Sequence, residues 1–177
     1  MEEFDIAIIG GGPAGIMAAI AASADLNVVL LEKNSSLGSK LLITGGSRCN
    51  ITNEKPIKKL LNSFHDKNFL KHSFYTFTNE MLLDLFRNRG LDFIVEDNNR
   101  VFPETEKSQD ILAILKYYLK DITIKYNYEV SDIKKEDNFI INNDIIAEKV
   151  IIATGGATFP KTGSTGDGYY LTDNPVT

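Results

Sequence analysis

The chain has 177 residues, of which 43% are hydrophobic and 24% charged, and its formal net charge is −5. This length predicts one domain with a real hydrophobic core, and the scattered basic residues argue against a nucleic-acid-binding surface. The single cysteine, Cys49, argues against a disulfide framework or a metal cluster and favours a reducing, cytoplasmic setting. The apolar runs are too short for a membrane span, and the N-terminal run does not resemble a signal peptide.

The first 32 residues have the order that a nucleotide-binding βαβ unit requires. A short apolar strand, Ile6–Ile9, leads into the glycine run Gly10–Gly15, and an alanine-rich helix follows from about Pro13 to Ser23. A second apolar strand, Val28–Leu31, ends at the acid Glu32. Strands, helix and acid together predict a nucleotide site far more specifically than the glycine spacing alone.

Each glycine of the fingerprint has a predicted task. Gly10 permits the tight turn, Gly12 lets a pyrophosphate approach the backbone, and Gly15 lets the helix pack on the strand. Pro13 suits the first helical turn, where its missing N–H costs nothing. Glu32 stands where a carboxylate accepts hydrogen bonds from ribose hydroxyls, and it argues against the 2′-phosphate of NADP. NAD and the ADP half of FAD both remain.

Two later stretches are candidate parts of the same site. Lys33 and Lys40 can face phosphates, although two solvated lysines are an equal alternative. The loop Thr44–Asn53 is rich in glycine and small polar residues, whose backbone N–H groups can surround an anion or a planar heterocycle. On composition alone, a plain surface loop is equally probable.

Helical spacing of apolar residues predicts two or three helices over residues 56–89, ended by Gly90. Thr78 or Asn79 is the predicted start of the second of them. His65 and His72 are interpreted as surface or packing histidines, because they lack partners at metal-ligand spacing. A group of aromatic residues in this region is predicted to join the core: Phe69, Phe74, Tyr75 and Phe77.

The second half of the chain predicts a hairpin, a helix and a β-meander. The hairpin covers residues 91–102, the helix 108–120 and a strand 122–126, and the meander has three runs at 129–134, 139–142 and 145–154. The apolar run Val150–Ala153 is typical of a parallel strand buried on both faces. It ends in Thr154-Gly155-Gly156, at the position where open α/β sheets bind ligands.

Several of these stretches, in this order, resemble one family. They are Gly10–Gly15, the loop from Lys40 through Arg48-Cys49-Asn50 to Asn53, Arg100–Pro103, Ala153–Gly156 and Thr162–Tyr169. Together they are similar to the aminoacetone-oxidase-like, BaiN- and YhiN-type FAD-dependent flavoprotein family.

The resemblance implies an α/β, Rossmann-like FAD-binding fold of the two-dinucleotide-binding-domain flavoprotein type, with a β-meander and a helical and hairpin insertion at about 54–104. In this fold Val130, on the first strand of the meander, meets the adenine, and the loops Thr44–Asn50 and Thr154–Gly156 border the pyrophosphate and flavin. The implied cofactor-binding residues are Gly10, Gly12, Pro13, Ala14, Gly15, Glu32, Lys33, Lys40, Thr44, Gly45, Arg48, Cys49, Asn50, Val130, Ala153, Thr154, Gly155 and Gly156.

Members of the family are longer than this chain. The resemblance therefore implies that residues 1–177 form the FAD-binding domain, without the C-terminal substrate domain and the closing FAD segment. The resulting hypothesis is an FAD-dependent oxidoreductase represented by its N-terminal part, with NAD(P)H as a candidate electron donor, an unknown small-molecule substrate, and no nucleic-acid or membrane partner.

Two alternatives remain at this stage. One is a module or truncated pseudo-enzyme that binds FAD or ADP without catalysis. The other is an NAD-dependent dehydrogenase with one Rossmann domain, against which the meander and Ala153–Gly156 count. The sequence assigns no catalytic residue and no metal. Cys49 is interpreted as a packing residue, and Asp167 as a helix-start or loop hydrogen-bonding residue.

Overall fold

A computed structural model describes residues 1–172 of the chain. These residues form two compact units. The first contains Met1–Leu41 and the chain from Leu115 onward, and the second contains Leu42–Ile114. The segment 54–104, predicted as an insertion, lies within the second unit.

The helices and strands follow the chain in this order. The first are β1 (Glu2–Ile9), α1 (Pro13–Ala22), β2 (Val28–Leu31), α2 (Ser39–Ile43), β3 (Thr52–Asn53) and α3 (Ile57–Leu61). Next come α4 (Lys67–Thr76), α5 (Asn79–Arg87), β4 (Phe93–Glu96), β5 (Arg100–Pro103) and α6 (Ser108–Tyr118). The last are β6 (Thr123–Lys125), β7 (Ile133–Lys135), β8 (Phe139–Ile141), β9 (Ile145–Ile152) and α7 (Asp167–Leu171). Short 3₁₀ turns cover Asp97–Asn99 and Pro160–Thr162.

The first unit is built on a six-stranded sheet with the order β6-β2-β1-β9-β8-β7. β1 pairs in parallel with both β2 and β9, and β2 pairs in parallel with β6. The register sets Ile9 opposite Leu31 on one side and opposite Ile152 on the other. The carboxyl ends of three neighbouring strands therefore meet at one edge, as the sequence predicted.

Both faces of β2 and of the second half of β1 are buried, which explains their continuous apolar sequences. Ala7, Ile8, Val29 and Leu30 are fully buried although alternate residues point to opposite faces. The same prediction for the run Val150–Ala153 is wrong, because Ile151 on β9 is 36% exposed. The meander supplies Ile141, Ile145 and Ala147 to the same core as Ala7 and Val29. Each large aliphatic side chain buried in this way contributes roughly 1.5–3 kcal/mol, so the core holds the strand ends in place.

The meander begins later in the chain than predicted, and this corrects the position of Val130. The prediction set Val130 on the first meander strand, but β7 begins at Ile133 and Val130 lies in an irregular segment before it. The side chain of Asn142 explains the difference. Its Oδ1 accepts hydrogen bonds from the N–H groups of Ser131 (2.9 Å) and Asp132 (3.2 Å), so it replaces a strand partner there.

In the second unit, several elements contribute buried apolar residues, among them α5, β5 and the first half of α6. Leu83 and Phe86 of α5 are buried, and the Phe86 ring packs edge-on against Phe93 with centroids 6.1 Å apart. The hydroxyl of Thr78 accepts a hydrogen bond from the N–H of Met81 (3.2 Å), which confirms the predicted helix start.

The prediction that the aromatic group joins the core is wrong. Phe69 is 79% exposed, Tyr75 54% and Phe77 42%, and α4 buries none of its residues. The buried positions of this unit are supplied by other elements, such as Phe86 of α5 and Phe102 of β5. Phe74 is half-buried, and its ring packs edge-on against Phe64. His65 and His72 are exposed, which confirms the surface interpretation.

Candidate functional site

A cleft lies at the edge where β1, β2 and β9 end. Every residue that lines it belongs to the first unit, and its empty space, including its mouth, is about 750 Å³. The predicted residues that line it are Gly10, Gly12, Glu32, Lys33, Lys40, Val130, Ala153, Thr154 and Gly155.

The three fingerprint glycines meet three different surroundings. A methyl group at Gly10, whose φ is +107°, would lie 2.6 Å from the carbonyl oxygen of Ala153. One at Gly15 would lie 1.9 Å from the carbonyl oxygen of Gly10. At Gly12 no atom lies within 4 Å. Gly10 and Gly15 thus allow backbone segments to pack, while Gly12 leaves space for a ligand, as a dinucleotide diphosphate requires.

The N-terminus of α1 supplies hydrogen-bond donors beside this space. The first intrahelical bond runs from the N–H of Ile16 to the carbonyl of Gly12 (2.9 Å). The N–H groups of Gly12, Ala14 and Gly15 precede it and so have no partner within the helix, and Pro13 has no N–H. Three donors at the positive end of the helix dipole fit an anionic diphosphate.

Sequence reasoning missed Gly11, which makes hydrogen bonds and packing contacts within the protein. Its N–H donates to Oε2 of Glu32 (2.7 Å), and its carbonyl accepts from the N–H of Gly38 (2.9 Å). A methyl group at Gly11 would lie 2.3 Å from the Leu37 side chain and 2.8 Å from Glu32 Oε2. The available signal was the glycine in the middle of Gly10-Gly11-Gly12, since the fingerprint itself requires only Gly10, Gly12 and Gly15.

Glu32 is buried in the cleft wall with both carboxylate oxygens occupied. Besides the bond from Gly11 to Oε2, its Oε1 accepts from the backbone N–H and the side-chain amide of Asn34, each at 2.7 Å. The predicted ribose ligand therefore also ties the glycine loop to the end of β2. Its contact with a ribose stays a prediction, and Asn34 was missed because nothing in the sequence marks it.

A second cluster joins Lys33 to the segment after β9. Lys33 Nζ lies 2.6 Å from Asp167 Oδ2 and donates to the hydroxyl of Thr165 (2.7 Å), which itself donates to Asp167 Oδ1 (2.6 Å). Burial raises the pKa of Asp167, but the hydrogen bonds from Lys33 and Thr165 lower it by more. Lys33, predicted to face a phosphate, thus has its charge matched by Asp167.

Replacing Asp167 with asparagine is expected to lower the free energy of unfolding at pH 7 by about 0.5–1 kcal/mol, because the pair with Lys33 is partly exposed. A carboxyl with a lowered folded pKa stabilises above its unfolded pKa of about 3.9, and this contribution is lost as pH falls through the folded value. Wild type and variant should therefore differ at pH 7 in urea unfolding, and the difference should shrink as the pH falls below the unfolded pKa and through the lowered folded pKa. Asp137→Asn, at an exposed turn, is the matched control. A difference that stays the same from pH 7 down into the acid range would contradict the prediction.

Three other predicted residues that line the cleft, Lys40, Thr154 and Gly155, lie against residues 158–168, which follow β9. Lys40 Nζ donates to the hydroxyl of Thr158 (3.1 Å) and lies 6.0 Å from the centre of the Phe159 ring. Thr154 Oγ1 accepts from the N–H of Gly168 (3.0 Å). A methyl group at Gly155, where φ is +76°, would lie 3.4 Å from the hydroxyl of the buried Ser164. Pro13, Ala14, Gly15 and Gly156 are neighbours of the lining residues in sequence.

The other predicted residues, Thr44, Gly45, Arg48, Cys49 and Asn50, lie in the second unit. The Arg48 guanidinium donates to Glu96 (2.6 Å) and Glu106 (2.9 Å) and lies 4.3 Å from the centre of the Phe102 ring. Two carboxylates thus offset its charge, which the sequence did not indicate.

The same loop is tightly folded around Gly45 and Cys49. Gly45 has a φ of +60°, and a methyl group there would lie 2.8 Å from the backbone nitrogen of Asn50. The N–H of Cys49 donates to the carbonyl of Thr44 (2.9 Å), and Cys49 is buried. Burial raises the pKa of its thiol to about 11, so the thiolate is scarce near neutral pH. This agrees with a packing role.

Residues 1–172 contain neither a candidate metal site nor a candidate membrane span. No group of three or more histidine, cysteine, aspartate or glutamate side chains is arranged to hold a metal ion there. None of the helices in that range is long and apolar enough to cross a membrane.

Comparison with known proteins places this geometry in a family. The family model described as "HI0933-like protein Rossmann domain" matches residues 4–175. The chain is 33% identical over 175 residues to the 3-dehydro-bile acid delta(4,6)-reductase of Clostridium scindens, covering 94% of this chain and 42% of that protein. It is 30% identical over 181 residues to the ribosomal RNA dihydrouridine synthase of Escherichia coli, covering 98% and 44%. The chain thus spans less than half the length of these two relatives.

Solved structures share the fold. A flavocytochrome c3 fumarate reductase in its open conformation matches with a TM-score of 0.70 at 20% identity, over 97% of this chain and 40% of that chain. The 3-ketosteroid-delta4-(5alpha)-dehydrogenase of Rhodococcus jostii RHA1 matches with a TM-score of 0.62 at 15% identity, over 88% and 46%. The predicted Rossmann-like α/β fold with its β-meander is confirmed.

Proposed function

This chain belongs to the HI0933-like protein Rossmann-domain family, and we propose that it is the FAD-binding part of an oxidoreductase. The domain is an FAD-binding Rossmann domain of the flavoprotein type. Bound FAD supplies hydride and electron transfer, while the protein supplies binding, orientation and electrostatics. The activity of the whole protein, its electron donor and its substrate are part of the proposal.

The observation that carries the proposal is the unfilled space at Gly12 beside the N-terminus of α1. The N–H groups of Gly12, Ala14 and Gly15 are the proposed donors to the diphosphate, and Glu32 is the proposed acceptor for the adenosine ribose. The buried Val130 lines the same cleft and is the proposed neighbour of the adenine. None of these residues is placed in the chemistry itself.

The names of the two relatives suggest a reaction class. One is a delta(4,6)-reductase of a 3-dehydro-bile acid, and the other makes dihydrouridine in ribosomal RNA. Both add hydrogen across a carbon–carbon double bond in a molecule that carries a carbonyl group. We propose the same class for this protein, with NAD(P)H as the electron source. The net charge of −5 favours a small organic substrate over RNA.

Absorption spectroscopy of the purified protein tests the binding step. The protein is expected to show flavin bands near roughly 370 and 450 nm. Gly12→Glu, which puts a carboxylate where the diphosphate approaches, should lose these bands. Ala21→Glu adds the same charge to an exposed position in the last turn of α1 and should keep them. A wild-type protein that binds no added FAD would overturn the proposal.

Anaerobic reduction separates the enzyme from a passive module. NADH or NADPH is expected to bleach the 450 nm band, and a small enone or uridine-containing RNA is expected to restore it. Recovery with the enone alone supports a small-molecule substrate, and recovery with RNA alone would show that the substrate is RNA instead. A protein that dithionite reduces but neither nicotinamide reduces fits the non-catalytic alternative.

The setting of the protein is also proposed to be cytoplasmic. The support is the chain's single cysteine, Cys49, which is buried and free. A chain of this kind needs no oxidising compartment to fold.

A further inference from the structure

The carboxylate of Glu32 is held more completely than a ribose ligand needs to be. Its Oε1 accepts two hydrogen bonds from Asn34, one from the backbone N–H and one from the side-chain amide, both at 2.7 Å. Its Oε2 accepts one, from Gly11 N–H at 2.7 Å. Glu32 as a whole is only 6% exposed, so water has little access to it.

Counting acceptor positions shows what remains for a ligand. A carboxylate offers about four lone-pair positions, two on each oxygen. Asn34 fills both positions on Oε1, and Gly11 fills one on Oε2. One position remains, on Oε2, and Glu32 lines the cleft where a ligand would meet it.

Hydrogen bonds hold the backbone of both Glu32 and Asn34. The side-chain amide of Asn34 therefore decides whether the second acceptor position on Oε1 of Glu32 is filled. The N–H of Glu32 donates to the carbonyl of Lys125, and its own carbonyl accepts from the N–H of Tyr128, both at 2.9 Å. The carbonyl of Asn34 accepts from the N–H of Asn127 (3.1 Å). Gly163 backs the amide from the other side, since a methyl group there would lie 2.8 Å from Asn34 Nδ2.

We infer that Asn34 is a positioning residue that commits Oε1 of Glu32 to the protein, so that the adenosine ribose is recognised through one hydroxyl, accepted at Oε2. The inference rests on the proposed function, because it assumes that the adenosine end of FAD lies at this wall of the cleft. The amide of Asn34 itself needs no contact with the cofactor.

Binding of three nucleotides to the flavin-free protein tests the inference. The probes are ADP, 2′-deoxy-ADP and 3′-deoxy-ADP, measured by isothermal titration calorimetry. One deoxy nucleotide is expected to bind about tenfold or more weakly than ADP, because it loses a hydrogen bond to a charged acceptor. The other should bind within about threefold of ADP, since no acceptor position remains for its hydroxyl.

Asn34→Ala reopens a position on Oε1, so the second hydroxyl gains an acceptor. The difference between the two deoxy nucleotides should then fall to within about threefold. Asn27→Ala is the matched control, because Asn27 lies at the other end of β2 and its amide donates to the carbonyl of Glu3. That variant should keep the wild-type pattern. If Asn34→Ala does not fold, Asn34→Leu, whose side chain has nearly the shape of asparagine and no N–H donor, provides the same test.

Equal discrimination against both deoxy nucleotides by the wild type would overturn the inference, as would discrimination against neither. So would an Asn34→Ala protein that keeps the wild-type pattern. In each of these outcomes the protein still binds ADP and FAD. A protein that binds neither of them would instead refute the proposed function, so the two failures are distinguishable.

Discussion

Replacing Gly15 with alanine is expected to lower the free energy of unfolding by about 3 kcal/mol. The new methyl group would lie 1.9 Å from the carbonyl oxygen of Gly10, a backbone atom that cannot rotate away. Helix α1 would have to move off the sheet. For a chain of this size the melting temperature of the flavin-free protein should fall by about 6–12 °C, measured by differential scanning calorimetry.

The sign of this effect is itself informative. Within a helix, alanine is favoured over glycine by about 1 kcal/mol, so a Gly15→Ala protein with unchanged or higher stability would show that the packing argument fails. Gly12→Ala is the matched control, because no atom lies within 4 Å of its new methyl group. Its stability should change by less than about 1 kcal/mol, the size of a helix N-cap effect. Its affinity for FAD should nevertheless fall, since the methyl group occupies the space left for the diphosphate.

Replacing Glu32 with glutamine is expected to cost about 2 kcal/mol of stability and to weaken FAD binding at least tenfold. Both oxygens accept from N–H groups, so the new amide nitrogen faces a donor in either orientation. A buried N–H without an acceptor carries a desolvation cost of about 1–3 kcal/mol. The loss of charge also weakens the bond to a ribose hydroxyl.

Urea unfolding without flavin and fluorescence titration with FAD measure the two parts separately. Glu148→Gln is the matched control, because Glu148 is exposed on β9 and should tolerate the change. A Glu32→Gln protein with full stability and full FAD affinity would contradict the arrangement described for Gly11 and Asn34.

Local patterns predicted the elements that hold the site. The alternation of apolar strands with a glycine-rich turn and an alanine-rich helix predicted β1, α1 and β2, because burial on both faces demands uniformly apolar strands. Glycine at positions 10, 12 and 15 indicated close backbone approach and space for a ligand, and the structure contains both. The return of the chain to the same edge through β9 was also predicted.

The errors arose where long-range contacts override local pattern. Phe69, Tyr75 and Phe77 look like core residues, yet they are exposed, and residues of α3, α5, β5 and α6 supply the buried side chains of the second unit instead. Val130 follows a strand-like pattern, but the Asn142 side chain takes the hydrogen bonds of the segment after it.

By itself, the sequence determined the class of ligand and the elements that present it, because glycine spacing and strand hydrophobicity are local properties. Only the tertiary structure decided how the charged groups of the cleft are used. Asp167 lies 134 positions from Lys33 along the chain, yet the two form an ion pair. Gly11 and Asn34 donate hydrogen bonds to the two carboxylate oxygens of Glu32, and no local pattern predicts such partners. Their distances depend on where the sheet brings the strand ends together, which is a property of the whole fold.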